Sequence, residues 1–178
     1  MIVDENSDRK PNILDIGTGS GCIAISLALE IPDSRVTSLD VSSGALDIAD
    51  KNASWLGAKI ELIELDILES EIPIKNLDIL VSNPPYVLEK EKELMNGNVL
   101  DFDPHLALFV PDNNPLIFYK AILAKSLNSL NSGGKIYFEI NEAYGKEVSI
   151  LLEDFRFSNP KIVKDLNGKD RFVTATKS

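Results

Sequence analysis

A doubly wound α/β fold, built on a mostly parallel seven-stranded sheet, is what this sequence predicts. Two observations carry that expectation. Short apolar runs alternate with helical patterns through most of the chain, the signature of strands joined by crossover helices. The last two runs instead meet through Asn167-Gly168, a tight-turn dipeptide, which makes them an antiparallel pair at the end of the sheet.

The elements follow in order. Asn12-Ile13-Leu14-Asp15-Ile16 reads as the first strand, and Met1 opens almost directly onto it. Gly21 to Glu30 reads as a helix stopped before Pro32. Arg35 to Leu39 is a second strand ending at Asp40. Ser42 or Ser43 caps a helix that runs to Leu56 and ends at Gly57. Lys59 to Leu65 is a third strand ending at Asp66, and Leu77 to Ser82 is a fourth. An amphipathic helix is expected over Leu116 to Leu130, with Asn131-Ser132-Gly133-Gly134 turning it into a fifth strand, Lys135 to Ile140. Ala143 to Phe155 reads as helical, and Lys161 to Val163 with Arg171 to Ala175 form the late pair. The stretch Val87 to Pro115 is far longer than a median loop, which marks it as functional.

Composition bounds the function. The chain has 178 residues, 44% of them hydrophobic, and reads as one domain with a full core. No apolar run approaches the roughly 18 residues of a membrane helix, and no signal peptide is visible. The single Cys22 excludes an internal disulfide and fits a reducing cytoplasm. One Cys and one His make a poor zinc set. The net charge is −10, with 18 basic residues against 28 acidic, which argues against nucleic acid as the main ligand.

The candidate site lies at the carboxyl ends of the strands, where such sheets bind ligands. Asp15-Ile16-Gly17-Thr18-Gly19-Ser20-Gly21 is a glycine loop between the first strand and its helix, able to bring backbone close to a ligand. Its sixth fingerprint position is Cys22, not Gly or Ala, and no P-loop motif is present. Asp40, about twenty residues on, can accept two ribose hydroxyls. Asp66 can accept from an exocyclic amine, with Ile67 offering a flat apolar contact to a base. Each acid alone is equally well a strand-end or capping residue; together they outline an adenosine-bearing cofactor lying across the sheet. Asn83-Pro84-Pro85-Tyr86 then leaves the fourth strand. The prolines hold the Asn83 amide, Tyr86 adds an aromatic wall, and the corner suits a planar group bearing an NH2. The bland alternative, a Pro-rich strand exit with a capping Asn, carries less weight than the clamp.

These residues carry a family resemblance. The glycine loop with Asp40, Asp66 and Asn83 to Tyr86 resembles the class I S-adenosylmethionine-dependent methyltransferases that act on amines. More narrowly, Ile13 to Ala24, Ile79 to Tyr86, Asp103-Pro104-His105-Leu106-Ala107-Leu108-Phe109 and Gly168-Lys169-Asp170-Arg171-Phe172-Val173 resemble the HemK/PrmC family, N5-glutamine methyltransferases of peptide chain release factors. Asp103 stands where relatives often have Glu, and Asn141 where many have Gly. The family's helical amino-terminal domain, which helps grip the release factor, has no counterpart, so a single catalytic domain over residues 1–178 is expected.

The resemblance implies S-adenosyl-L-methionine as methyl donor, leaving S-adenosyl-L-homocysteine, with Asp15, Gly17, Thr18, Gly19, Ser20, Gly21, Asp40, Asp66, Ile67 and Asn83 around it. It implies that the Asn83 side-chain carbonyl and the Pro84 main-chain carbonyl accept the two N–H bonds of a glutamine amide in a Gly-Gly-Gln motif, with Pro85 and Tyr86 beside the substrate. No His, Cys or Lys belongs to the cluster to act as base, so positioning and electrostatics are the expected contributions. The alternative is a nucleic-acid adenine or cytosine amino-methyltransferase using the same clamp, which the acidic balance disfavours. His105, among Pro104, Leu106, Ala107 and Leu108, reads as packed loop, and Cys22 as a small packing residue. Phe102, Phe109 and Trp55 read as core or rim, and Glu89 to Glu93 as a solvated helical turn.

Overall fold

A computed structural model of the chain describes residues 1–6, 8–88 and 109–178. The strands β1 (Asn12–Ile16), β2 (Arg35–Asp40), β3 (Ile60–Glu64) and β4 (Leu77–Ser82) are joined through the helices α2 (Cys22–Glu30) and α3 (Ser43–Leu56). A short helix, α1 (Ile2–Asn6), precedes β1. After β4 come β5 (Val87–Leu88) and β6 (Phe109–Val110), then α4 (Ile117–Ser126), β7 (Leu130–Glu139), α5 (Gly145–Asp154), β8 (Phe157–Lys164) and β9 (Asp170–Lys177). The main sheet has seven strands in the order β3-β2-β1-β4-β7-β9-β8. Its first five strands pair in parallel, while β9 runs antiparallel to both β7 and β8, as expected from the Asn167-Gly168 turn.

The sheet is central because its strands are apolar on both faces. β1 and β4 are buried almost end to end, which a parallel sheet covered by helices on both sides demands. Strand alternation divides the core in two. Leu14, Ile16, Leu80, Ile136 and Phe138 face one side, where α4 contributes Tyr119, Ile122 and Leu123 and α5 contributes Val148, Leu151 and Leu152. Ile13, Ile79, Val81 and Tyr137 face the other, against Ala24 and Leu27 of α2. Tyr119 meets Phe138 edge to face, with centroids 5.2 Å apart at 86°. The helix caps agree with the expectation at α3: the Ser42 hydroxyl accepts from Ala45 N–H at 3.2 Å, and Gly57 closes the helix at a φ of 73°.

Several expectations are corrected. The chain does not open onto β1: α1 comes first, held where Tyr137 donates its hydroxyl to the Glu5 carboxylate at 2.9 Å and Lys135 pairs with the same group. Five residues carry too little periodicity to be recognised in sequence. The helix expected to reach Leu130 ends at Ser126, because the Lys177 ammonium caps the carbonyls of Leu127 and Leu130 and the chain is already extended at Leu130. Asn131 to Gly134 therefore lies inside β7 as an irregularity, with Leu77 paired to Leu130 but Ile79 to Lys135. The long stretch after Tyr86 is not wholly irregular, since β5 and β6 pair in parallel. Trp55 is 84% exposed, because α3 buries Leu46, Ala49 and Ala53 and turns residue 55 outward. Cys22 is exposed at the start of α2, with its sulfur 3.2 Å from the Ser20 hydroxyl, so it is not a packing residue. Phe109 is half-buried in β6. His105, the Asp103 to Leu108 part of its motif, Phe102 and Glu89 to Glu93 lie outside the described residues.

The core predicts its own weak point. Phe138 is fully buried between α4 and the sheet. Phe138→Ala is expected to lower the unfolding free energy by about 3–5 kcal/mol, read from the shift of the urea midpoint at unchanged slope.

Candidate active site

The strand order reverses direction between β1 and β4: the chain moves outward from β1 to β2 and β3, then returns to the other side of β1 to form β4. The loops leaving β1 and β4 therefore part, and a crevice opens between them. Ser82 closes its floor by donating its hydroxyl to the Ile16 carbonyl at 2.6 Å. This buried serine was not singled out from the sequence, where a hydroxyl ending an apolar run resembles an ordinary strand end.

The glycine loop is fastened on three sides. Gly17 and Thr18 donate their N–H groups to the Leu39 carbonyl at 2.8 and 3.2 Å, tying the loop to β2. Asn52 of α3 donates its side-chain amide to the Ser20 carbonyl at 2.9 Å. Gly21, at a φ of 84°, leaves no room for a side chain: an added Cβ would lie 2.9 Å from Ile25 Cδ1 and 3.1 Å from Ala49 Cβ. Gly17, at a φ of 73°, lets the loop run beside the β4 exit, where an added Cβ would sit 3.7 Å from the Asn83 carbonyl oxygen. Asn83 is exposed in the crevice, Pro84 is buried, and Pro85 and Tyr86 are half-buried.

Two carboxylates, Asp15 and Asp40, hold this loop, and a third, Asp66, follows the end of β3. Asp40 accepts from Gly19 N–H through Oδ2 and from Ser42 N–H through Oδ1, both at 2.9 Å, so it braces the loop and the start of α3. Asp66 accepts from Leu68 N–H at 2.8 Å in a local turn. Ile67 packs into the main core, and its carbonyl, with that of Leu68, accepts from Lys125 Nζ of α4. Asp15 is fully buried; its Oδ2 accepts from the Thr18 hydroxyl at 2.6 Å, while its Oδ1 is buried with no partner. Burial pushes the Asp15 carboxyl up to about 6, opposed by the Thr18 hydrogen bond and the Ala24 N–H and reinforced by nearby Asp40.

This electrostatic pattern selects among ligands. A pyrophosphate would meet Asp15 and Asp40 as like charges, whereas a ligand carrying an ammonium or a sulfonium would meet them as partners. The unpartnered Asp15 Oδ1 is the kind of buried acceptor that a bound cationic donor would satisfy. Charge at this loop thus disfavours a pyrophosphate.

One more group enters from β7. Tyr86 donates its hydroxyl to Glu139 Oε1 at 3.1 Å, and Tyr119 donates to the Glu139 carbonyl at 2.9 Å. Burial first, then the Glu139 carboxylate, push the Tyr86 phenol above its ordinary range, with Arg171 opposing. The phenol is therefore a neutral hydrogen-bond donor at neutral pH. Sequence reasoning missed Glu139 because nothing local distinguishes an acid ending a strand more than fifty residues away from Tyr86.

Asp15 also sets a pH dependence. Its carboxyl holds its proton more tightly folded, at about 6, than unfolded, near 3.8, so its contribution to stability is complete below pH 4 and is lost as pH rises through 6. Asp15→Asn removes that titration. The stability of the variant relative to the parent is expected to improve by about 2 kcal/mol between pH 4 and pH 7. Urea unfolding at both pH values measures it, and an equal difference at the two would show that Asp15 titrates as an ordinary carboxylate.

Comparison with known proteins agrees with this geometry. The profile of the Methyltransferase small domain family matches residues 2–100. A release factor glutamine methyltransferase of Bacteroides thetaiotaomicron is 48% identical over 178 residues, covering 99% of this chain and 64% of that protein. One from Flavobacterium psychrophilum is 48% identical over 176 residues, covering 97% of this chain and 62% of that protein. The chain thus spans less than two thirds of the length of the curated relatives it matches. Among solved structures, a methyltransferase from Pyrococcus furiosus superposes with a TM-score of 0.71 at 16% identity, covering 99% of this chain and 79% of that one. The same seven-stranded sheet is shared across that low identity, and the family profile runs from α1 through β4 and the Asn83 to Tyr86 corner. This chain belongs to the methyltransferase small domain family.

Proposed function

We propose that this chain is the catalytic part of an S-adenosyl-L-methionine-dependent methyltransferase that modifies the side-chain amide nitrogen of a glutamine in a peptide chain release factor. The observation that carries the reading is the Asn83-Pro84-Pro85-Tyr86 corner, set beside a loop held by Asp15 and Asp40 at the strand-order reversal, with Asp66 beyond the end of β3. The 48% identity to two relatives named as release factor glutamine methyltransferases supports the choice of substrate.

The cofactor, when bound, supplies an electrophilic methyl group on a sulfonium. Asp15 would face its ammonium, with Thr18, Ser20 and the three loop glycines lining the approach. Asp40 would accept its ribose hydroxyls and Asp66 the amine of its base, with Ile67 at the edge of the base site. An amide nitrogen is a weak nucleophile, because its lone pair is delocalised into the carbonyl. Asn83 offers its side-chain carbonyl, and Pro84 its main-chain carbonyl, to the two N–H bonds of that amide. Pro84 can make no competing main-chain donor bond, and both prolines restrict the residue before them, so the two acceptors stay in place. Two carbonyl oxygens also favour the positive charge that builds on nitrogen as it is alkylated. Tyr86, its phenol held neutral, forms the wall beside the substrate. Aiming a poor nucleophile in this way needs no base: as the nitrogen–methyl bond forms, the sulfur–methyl bond breaks to leave a neutral thioether, and the extra proton on nitrogen passes to water afterwards.

We place the enzyme in the cytoplasm, where release factors act; no helix among the described residues is long and apolar enough to cross a membrane. The acidic balance, −10 overall, favours a protein substrate over DNA or RNA.

The deciding experiment supplies the full-length protein with labelled S-adenosyl-L-methionine and either a release factor or DNA. Label in the release factor, lost when its Gly-Gly-Gln glutamine is replaced, is expected; label in DNA alone would sink the reading. Asn83→Ala is expected to change cofactor affinity by less than about tenfold, roughly 1.4 kcal/mol, while losing most turnover. Calorimetry and single-turnover transfer read the two quantities, and turnover retained in the variant would refute the clamp.

A further inference from the structure

Glu139 links the amide corner to the far side of the sheet. In the parallel pairing of β4 with β7, Ser82 stands opposite Phe138, so Glu139 stands level with Asn83 at the mouth of the crevice. Three contacts fix it there. Its carboxylate accepts from the Tyr86 hydroxyl at 3.1 Å, and its carbonyl accepts from the fully buried Tyr119 at 2.9 Å. The following N–H, that of Ile140, donates to the Arg171 carbonyl at 2.9 Å. Arg171 in turn directs Nε and Nη2 at Asp165 Oδ2, both at 3.4 Å. Asp165 Oδ1 is occupied by the N–H groups of Asn167 and Lys169, which holds the acid at the hairpin turn. The Arg171 charge opposes the upward push on the Tyr86 phenol.

Tyr86 needs such an anchor. It follows two prolines on a strand exit, so its backbone is restrained, but its ring can still rotate about two side-chain torsions. One hydrogen bond from the hydroxyl, made to a carboxylate at the end of a strand, fixes the direction in which the ring axis points. We propose that Glu139 is a positioning residue of the amide site: by accepting from Tyr86 it sets the aromatic wall against which the substrate side chain is aimed, with the Ile140–Arg171 backbone hydrogen bond bracing the strand end that carries it. This rests on the function proposed above. It adds a residue from β7, held by the late antiparallel pair, to a site otherwise built from the first four strands.

A double-mutant cycle in the full-length protein tests it. Glu139→Ala is expected to lower kcat/KM for the release factor by about tenfold or more, with the dissociation constant for S-adenosyl-L-methionine unchanged within about twofold. Glu139→Gln, which keeps a carbonyl acceptor, should recover most of that loss. In a Tyr86→Phe background, which lacks the hydroxyl, Glu139→Ala should cost less than about twofold further. Equal losses in the two backgrounds, or a parallel loss of cofactor affinity, would overturn the proposal. A second measurement needs no substrate. The ring-carbon NMR resonance of Tyr86, assigned by its disappearance in Tyr86→Phe, should titrate at lower pH in Glu139→Gln, because the negative neighbour that opposes phenolate formation is gone. An unchanged midpoint would refute the contact, whichever substrate the enzyme proves to methylate. Loss of wild-type transfer to release factor, with the midpoint shift intact, would point to the substrate assignment alone.

Discussion

The position of β1 is the constraint on which the rest of the molecule depends. It pairs in parallel with β2 on one side and β4 on the other, and those neighbours are reached by chain segments running in opposite directions. Loops leaving β1 and β4 must therefore diverge, and the gap between them is the only place at that end of the sheet where backbone from both can face one ligand. Two contacts keep the gap in shape. Gly17 and Thr18 lean on the Leu39 carbonyl of β2, while Ser82 of β4 donates to Ile16 of β1. The glycine loop and the Asn83 corner are thus parts of one rigid floor.

Charge on that floor carries more discrimination than shape. A nucleotide-type loop followed by an acid at the end of β2 is shared by many ligand-binding sheets. Here Asp15 is fully buried with an unsatisfied oxygen, Asp40 lies beside it, and Asp66 follows on β3. Burying a carboxylate is unfavourable unless something answers it, and here the Thr18 hydroxyl answers one oxygen only.

The late antiparallel pair has a double role. It closes the sheet beyond β7, and through Ile140 and Arg171 it braces the end of the strand that carries Glu139. Arg171 lies more than eighty residues from the Asn83 corner in the chain, yet its charge opposes the upward push on the corner's tyrosine. Such coupling arises because β9 inserts between β7 and β8, so the last residues of the chain pack at the centre of the sheet's far half.

Much of this was readable from residue order alone. Strands β1, β2 and β4, the Ser42 and Gly57 caps of α3, the glycine loop and the strand-end acids all announce themselves locally, because period, capping chemistry and turn residues act over a few positions. The start of β7 was not readable: its Asn-Ser-Gly-Gly run has the chemistry of a turn, and only pairing with β4 and the Lys177 cap make it extended. Trp55 illustrates the same limit, since its aromatic character says nothing about which side of α3 meets the sheet. Residue identity and spacing were enough to specify the parallel sheet, the loop and the amide corner. Tertiary structure alone decided that Asp15 would be buried with an open valence, that Ser82 would bridge two strands, and that Glu139 would reach Tyr86. Those three outcomes depend on strand order and register, which are set by the packing of distant segments and are invisible to any local pattern.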